Sequence, residues 1–395
     1  MQAKQIGIHV LTAYPPSNPN RDENGQPKTA IVNGITRQRI SSQCIKRAWR
    51  LSDIMKAVEG QFSVRTCRIG ERAFKEMFSG GIDPSKADQY AAAIASCFGS
   101  IDKKKGNYIN SEMVVLGHEE EENVLNLCRQ LCTKETTEVT SAIDALLAES
   151  AKSKSKASDS EGGGDSVNQP DDGKKKKPAK EDKVGKLRDA LKSHLEHTTT
   201  SVDVAMFGRM RAAAAKFNVD ASIYVAHPLT TGKATLDADF WTSVDDLKSA
   251  DVDADGGAGG MGEVEFGSGT YYTYVQVNRD ALVKNLDGNE MLANEVIIKL
   301  IEAIANVSPS GHKTTFGNEV RASYLRVEIG QPSGNLYCKA YEEPINGTAK
   351  AIKALRDAAE AEIIAYGLKQ KTFEFSPPES LASLLAGVAK ALEAQ

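Results

Sequence analysis

The alternation of apolar and polar residues predicts where strands and helices lie. Residues 5–11 place Ile6, Ile8 and Val10 at every second position, which is typical of a strand with two different faces. Further strands are predicted at 202–207, 222–226 and 270–278. Helical spacing of apolar residues predicts helices within 44–76, 85–148, 184–196, 295–307, 349–366 and 378–393.

Three stretches interrupt this pattern. Residues 15–34 are predicted to form a long polar loop. Residues 228–268 leave and rejoin the predicted core, and glycines together with Phe240 and Trp241 are typical of a protrusion that grips a ligand or a neighbour. Residues 150–183 contain no aromatic side chain, so they bury too little apolar area to offset their chain entropy. We predict that this segment is a disordered insertion. The alternative interpretation is that its run of lysines contacts nucleic acid.

Charge is unevenly distributed along the 395 residues. The whole chain is slightly acidic, with 49 Lys and Arg against 53 Asp and Glu. Residues 1–75, however, carry 13 Lys or Arg and 5 Asp or Glu, a net charge of +8, which leaves −12 for residues 76–395. A polyanion would therefore be attracted locally to the N-terminal part. This asymmetry favours a subunit of an assembly over a free-standing nucleic-acid binder.

The most basic segment, residues 37–50, has the pattern of a phosphate site. Five cations flank Ser41, Ser42 and Gln43 at a transition that is predicted to run from a strand into a helix. A serine at 41 or 42 is a natural N-cap, and a helix N-terminus offers free N–H groups and the positive end of the dipole. Lys46 and Arg50 share a helix face, and the arginines at 37 and 39 share a strand face. A solvated basic surface is the alternative interpretation.

Motifs for metal binding are incomplete. Cys128 and Cys132 share a helix face, but no second pair with zinc-like spacing follows, so the six cysteines are interpreted as free thiols. Residues 251–256 begin like a calcium loop whose twelfth position is Gly262 rather than glutamate. Residues 194–197 offer two histidines without a third ligand. We expect neither a metal nor a cofactor.

Nothing in the sequence indicates a membrane protein or a complete active site. No apolar run approaches the roughly 20 residues that cross a bilayer, and the first residues lack the hydrophobic region of a signal peptide. We therefore expect a cytoplasmic protein of roughly two to three domains. Asp203 has no histidine or second carboxylate near it in sequence, and Gly232-Lys233 lacks the earlier glycine of a phosphate-binding loop.

A set of motifs between residues 6 and 278 resembles one protein family. They are Ile8-His9-Val10-Leu11, Asn20-Arg21-Asp22, Arg39-Ile40-Ser41-Ser42-Gln43 with Lys46-Arg47, Val202-Asp203-Val204-Ala205 with Gly208-Arg209-Met210, Val225-Ala226-His227 with Thr230-Thr231, Val244-Asp245-Asp246-Leu247, and Glu265-Phe266. In this order they are similar to the CasC-type backbone subunit of Cascade, the type I-E CRISPR RNA-guided surveillance complex. Residues 309–316 resemble a family loop rich in Pro, Gly and Lys, from which His312 and Lys313 depart.

The resemblance implies an α+β fold. The expected parts are an RRM-like (ferredoxin-like) palm, a helical fingers region and a β-hairpin thumb, with copies stacking into a helical filament along the guide RNA. The predicted boundaries are 1–59, 201–227 and 269–395 for the palm and its C-terminal helices, 60–200 for the fingers with the insertion 150–183, and 228–268 for the thumb.

The resemblance also implies how guide RNA is held. Phosphate contacts that read no sequence are expected from Arg21, Lys28, Arg37, Arg39, Ser41, Gln43, Lys46 and Arg50. Met210 and Trp241 match positions that flank a displaced base, although Trp241 alternatively anchors the thumb itself. Arg209 either contacts RNA or ties its turn to the palm. The expected partners are the crRNA, target DNA, further copies of the chain and the large, small and RNA-end-binding subunits of Cascade.

Two other functions stay open at the level of sequence. Related subunits of type III complexes cut target RNA with an aspartate near the thumb, and Asp203, Asp245 and Asp246 invite that comparison. The motifs match the type I-E branch instead, which leaves cutting to a recruited helicase-nuclease, so we expect no enzymatic activity. A solitary RNA chaperone is the third possibility, and it would purify as a monomer with heterogeneous RNA.

Overall fold

A computed structural model describes residues 5–60, 62–132, 201–210, 218–244 and 259–394. The predicted helical pattern at 133–148, the predicted insertion 150–183, the predicted helix 184–196, the calcium-loop pattern at 251–256 and the residue pairs Asp245–Asp246 and His194–His197 lie outside these ranges. No helix in the described ranges is long and apolar enough to span a membrane.

The described strands and helices alternate irregularly along the chain. The strands are β1 Gln5–Ser17, β2 Thr29–Val32, β3 Ile35–Gln38, β4 Val64–Thr66, β5 Val114–Leu116, β6 Ile223–Val225, β7 Leu229–Thr230, β8 Leu236–Ser243, β9 Gly260–Asn278, β10 Tyr324–Gly330 and β11 Gln370–Phe375. The helices are α1 Ser42–Arg50, α2 Asp53–Lys56, α3 Ile69–Ser79, α4 Pro84–Phe98, α5 His118–Cys132, α6 Val202–Phe207, α7 Arg279–Asn285, α8 Glu290–Asn306, α9 Lys313–Phe316, α10 Tyr337–Ala340, α11 Thr348–Tyr366 and α12 Leu381–Glu393.

The chain divides into two compact units. The sheet unit comprises Met1–Gly60, Ala205–Phe207 and Ala221–Gln395, and the helical unit comprises Gln61–Val204 and Gly208–Asp220. In the helical unit, α3, α4 and α5 pack around one apolar core that includes Ile69, Tyr90 and Leu127. The short strands β4 and β5 pair antiparallel beside these helices.

A seven-stranded antiparallel sheet forms the sheet unit. Its order is β11-β10-β1-β9-β6, and β7 and β8 also pair with β9. The register places Ile8 opposite Val275 and Leu11 opposite Tyr272, so neighbouring strands put their apolar side chains on matching faces. Because β1 lies between two long partners, it is buried along most of its length.

Both faces of the sheet are covered. On one face, Leu11, Tyr272 and Tyr324 share a buried cluster with Leu355 of α11. On the other, Thr273 lies beside Ile304 of α8 and Trp49 of α1. Helix α1, which carries the predicted phosphate site, is therefore fixed against the sheet by its apolar side while its polar side stays outside.

Most predicted elements are confirmed, and three are wrong. Residues 202–207 form the helix α6 rather than a strand. Val202 to Met206 are all buried, and a short stretch that is buried on every side has the same pattern as a buried strand. A positive φ of 75° at Gly208 ends the helix there. The helical pattern of 44–76 is interrupted by β4, and β1 and β2 extend into the predicted loop 15–34.

The expected α+β class with a central antiparallel sheet is confirmed. The finer assignments stay predictions: an RRM-like palm, the fingers and the boundaries between the three regions. The segment predicted as a thumb does contain a hairpin, in which β8 pairs with the first part of β9 from Leu236↔Gly267 to Ser243↔Gly260.

Candidate nucleic-acid interface

The basic segment follows a tight β-hairpin. Strands β2 and β3 are joined at Asn33 and Gly34, whose φ angles of 50° and 76° suit a two-residue turn. The chain then enters α1, where the Ser41 hydroxyl accepts a hydrogen bond from the Cys44 amide at 3.3 Å. The predicted serine N-cap is therefore confirmed at position 41.

The first amides of α1 are already occupied by the chain itself. The Ser41 amide donates to Asn20 Oδ1 at 2.8 Å, and the Ser42 amide donates to His227 Nδ1 at 2.9 Å. Burial, helped by the positive charge of Arg39, lowers the pKa of His227, which keeps Nδ1 free of a proton as this bond requires. The expectation that these amides stay free for a polyanion is therefore wrong.

The outer face of α1 presents polar and basic side chains. Gln43 and Arg47 are exposed, and Lys46 and Arg50 are half-buried beside them. Lys46 Nζ lies 5.5 Å from the centre of the Phe207 ring, a cation–π distance that orients the ammonium group. The shared face of Lys46 and Arg50 is as predicted, and Arg47 lies on the same face although it was not among the predicted contacts.

Arg37 is removed from this surface. Its side chain is fully buried, and its guanidinium donates to the carbonyl oxygens of Thr231 at 2.5 Å, Tyr341 at 3.0 Å and Glu342 at 3.4 Å. The prediction that Arg37 binds phosphate is therefore not supported. Strand β3 ends before Arg39, which is half-exposed, so the two arginines do not form one basic strand face.

The loop 18–28 brings two further predicted cations next to α1. Asp22 Oδ1 accepts hydrogen bonds from the amides of Asn24 at 2.8 Å and Gln26 at 3.0 Å, which folds the loop into a tight turn. The Lys28 amide donates to the carbonyl of Asn20 at 3.0 Å. Since Asn20 also bonds Ser41, the loop and the helix cap are held together, and Arg21 at the turn is exposed.

A cavity of about 520 Å³ opens between this loop and α1. Its walls come from the loop residues 19–25, from one side of α1 and from Pro309 to Gly311. Arg21 and Arg47 contribute positive charge to the wall, and two acidic residues at 22 and 23 oppose them. The size is in the range of sites that hold one nucleotide-sized group.

The hairpin carries exposed aromatic side chains. The exposed fractions of Phe240 and Trp241 are 65% and 46%, and that of Met261 is 65%. The Trp241 ring lies over Gly262, its direct cross-strand partner, so closely that a Cβ atom there would be 2.9 Å from three indole atoms. Successive residues of a strand point to opposite faces, so Trp241 and Phe240 point to opposite faces of the hairpin.

The two residues of the Gly208–Met210 turn that were predicted to contact RNA, Arg209 and Met210, have different surroundings. Met210 is 85% exposed, as a residue that meets a ligand must be. Arg209 instead donates to Glu120 Oε2 at 2.8 Å, and both side chains are nearly buried. Of the two alternatives for Arg209, this contact favours the structural one, and it ties the turn to helix α5 of the helical unit.

Asp203 is a buried hydrogen-bond acceptor within the helical unit. Its carboxylate is fully buried and accepts hydrogen bonds from the amide of Ser63 at 2.7 Å and the hydroxyl of Ser63 at 2.6 Å. Both oxygens are thus used to hold the start of the helical unit. Among the described residues, no group of three or more His, Cys, Asp or Glu side chains is placed to hold a metal ion.

The fold is shared with two chains of known structure. A chain of a "CRISPR RNA-guided surveillance complex, pre-nicking" superposes with a TM-score of 0.75 at 23% identity, covering 99% of each chain. A chain of a "CRISPR RNA-guided surveillance complex" gives a TM-score of 0.62 at 20% identity, covering 99% of this chain and 100% of that one. No curated protein matches the chain.

The family is shown by the sequence as a whole. A family model described as CT1975-like protein matches residues 6–391. The match confirms the resemblance to CasC-type subunits that the motifs indicated, and it includes the C-terminal third, where the motifs were looser. The chain belongs to the CT1975-like protein family.

Proposed function

We propose that this protein binds guide RNA as a backbone subunit of a CRISPR surveillance complex of type I-E. Copies would polymerise along the crRNA in the cytoplasm, together with the other Cascade subunits, and leave its bases open for pairing with target DNA. The shared fold with chains of two surveillance complexes supports this assignment, as does the membership of the family.

The polar face of α1 is the observation on which the proposal depends most. Lys46, Arg47 and Arg50 lie together on one face of a helix whose cap is fixed by three hydrogen bonds. Arg21 and Lys28 are held next to it by the loop. Cations fixed on a rigid frame attract phosphates without reading bases, as a subunit that serves every guide sequence requires.

The hairpin is proposed to act through apolar contact. Strand β8 and the outer part of β9, residues 260–267, carry Asp237, Asp239, Glu263 and Glu265 but no Lys or Arg. Such a hairpin repels phosphates, so Trp241 and Phe240 are suited to stack on a base rather than to grip the backbone. This favours the wedge role of Trp241, and its packing on Gly262 presents the indole as a flat surface.

The double variant Lys46→Ala with Arg50→Ala tests the proposal. We expect the purified protein to lose most of its bound RNA and the remaining affinity to fall less steeply as salt rises, because two phosphate contacts are gone, with an unchanged melting temperature. The matched control is Lys350→Ala with Lys353→Ala, which removes two exposed cations from α11. Equal RNA content in both double variants would contradict the proposed site.

Absence of catalysis is part of the proposal and needs its own experiment. The assembled complex is incubated with Mg²⁺ and an RNA complementary to its guide, and the RNA length is followed on a gel. We expect the RNA to stay intact, because the Asp203 carboxylate is buried and bonded to Ser63. Regularly spaced products would instead support the endonuclease alternative.

A further inference from the structure

His312 has an unusual backbone conformation and a well-defined place. Its φ of 49° lies in the left-handed region, which residues other than glycine adopt only where the surroundings hold them there. The Asn318 side chain donates to the carbonyl of Gly311 at 3.0 Å and fixes the preceding peptide. The imidazole stacks on the Phe316 ring with 6.0 Å between the ring centres. The centres of the Phe316 ring and of the Phe266 ring on β9 are 5.4 Å apart.

The imidazole contacts one of the predicted RNA-binding arginines. Nη1 of Arg21 lies 2.6 Å from Nε2 of His312. A guanidinium only donates hydrogen bonds, so Nε2 must accept, and the ring must be neutral with its proton on Nδ1. That Nδ1 atom is buried and has no hydrogen-bond partner among the described residues. The tautomer is therefore set by Arg21 alone.

The backbone beneath Arg21 is fixed independently of His312. The side chain of Asn18 donates to the carbonyl of Glu265 at 2.9 Å, and that of Gln26 donates to the Glu265 carboxylate at 3.0 Å. With the turn at Asp22, these bonds define the loop and leave only the long Arg21 side chain to be oriented. An exposed arginine otherwise samples many rotamers and loses their entropy on binding.

We propose that His312 is a positioning residue that holds Arg21, through its neutral imidazole, at the wall of the cavity where guide-RNA phosphate binds. The inference rests on the proposed function and adds to it a residue outside the predicted contacts. Arg21 then meets the phosphate with its rotamer already selected, and His312 itself needs no contact with the RNA.

Protonation of His312 makes its hydrogen bond with Arg21 depend on pH. Burial of the ring, followed by the charge of Arg21, lowers the pKa of His312 below its ordinary value of 6.5. The bond to Arg21 is therefore present at neutral pH and is lost as the pH falls through this lowered pKa. The other charged groups on the neighbouring segments include Asp22 and Glu23 of the loop, Glu265, which is bonded to Gln26, and the ion pair Lys313–Glu319 at 2.6 Å.

A double-mutant cycle separates positioning from direct contact. The variants are His312→Gly, Arg21→Ala and the combination, and glycine accepts the positive φ so the loop keeps its conformation. Affinity for a fluorescent single-stranded RNA is measured with the full-length chain at about pH 8 and at a series of lower pH values that passes through the lowered pKa of His312. At the higher pH, we expect His312→Gly to weaken binding by about three- to tenfold in the presence of Arg21 and to have no effect in Arg21→Ala.

Once the pH has fallen below the lowered pKa of His312, the effect of His312→Gly should vanish even with Arg21 present, because the protonated ring no longer accepts. An equal loss in both backgrounds, or a loss that grows on acidification, would show that His312 binds RNA directly and would overturn the proposal. The absence of any effect at the higher pH would overturn it as well. If the unaltered protein fails to bind RNA at all, the proposed function itself is wrong, which is a different result.

Discussion

Both halves of strand β9 pair antiparallel with other strands, but their surroundings are opposite. The inner half, Thr270 to Val277, is almost entirely buried between helices, whereas most side chains of the outer half, Gly260 to Phe266, are at least partly exposed. The inner half is rich in Tyr, Thr and Val, which are strong strand formers, and the outer half has glycines between acidic and apolar residues. A single strand thus changes from a core element into one side of a protruding hairpin.

The contrast shows what each half contributes. In the inner half, apolar side chains are covered by the chain itself and contribute to the free energy of unfolding. Met261 of the outer half is exposed, and so are Phe240 and Trp241 on the paired strand β8. These side chains contribute little to folding and remain available for a partner. Variants of the two halves should therefore separate stability from RNA binding.

The largest difference is expected between Tyr272→Ala and Phe240→Ala. Tyr272 is buried and accepts a hydrogen bond from the Leu336 amide at 3.2 Å, so its truncation should lower the free energy of unfolding by about 3–5 kcal/mol. Phe240 is 65% exposed, and its truncation should change the same quantity by less than about 0.5 kcal/mol. Denaturant unfolding of both variants measures this, and equal losses would invalidate the comparison.

Arg37→Ala tests the boundary between the halves. The guanidinium bonds the Thr231 carbonyl, and the Thr231 amide bonds the carbonyl of Thr270, where the buried half of β9 begins. Removing Arg37 leaves the buried carbonyls of Thr231 and Tyr341 and the partly buried one of Glu342 without this donor, so we expect a loss of about 3 kcal/mol in stability. RNA affinity per folded molecule should stay unchanged, and a selective loss of RNA would return Arg37 to the binding site.

A pH effect is expected from the buried part of the sheet, on β10. Burial by itself would raise the pKa of Glu328 on β10, but the nearby His9 ring, 3.6 Å away, and hydrogen bonds from Ser333 and Arg326 outweigh it and lower the pKa to about 2. The stabilisation is complete above the ordinary value of 4.5 and is lost as the pH falls from there toward 2. Glu328→Gln should remove about 2 kcal/mol of acid-dependent stability, seen as a flatter unfolding profile over this range.

The smallest effect on stability is expected from Gly262→Ala in the exposed half. A Cβ atom at this position would lie 2.9 Å from the Trp241 ring, which must then move, whereas one at Gly260 would stay 3.9 Å from that ring and approach only the Ser243 hydroxyl, at 3.3 Å. We expect Gly262→Ala to weaken RNA retention as much as Trp241→Ala does, with less than about 0.5 kcal/mol change in stability. Gly260→Ala is the matched control, and equal behaviour of the two glycine variants would exclude a role for the indole orientation.

The sequence predicted much of the frame because the relevant signals are local. Alternation identified β1 and the buried half of β9, and the serine cap located the start of α1 within one residue. The same signals failed at 202–207. The helix there has only about one and a half turns and is buried, so its sequence is as apolar as that of a strand. Arg47 was overlooked as a candidate although it lies on the same face as Lys46 and Arg50, a placement that helical spacing alone would have indicated.

The sequence by itself determined which cations the chain has, where along the chain they cluster and to which family the chain belongs. Only the tertiary structure decided what each cation contacts. Arg37 finds acceptors 194 and 304 positions away, Arg209 finds Glu120, and Arg21 finds His312 after 291 positions. An arginine that satisfies buried carbonyls and one that awaits a phosphate have the same local pattern, because their difference lies in partners that are brought together by the fold of the whole sheet.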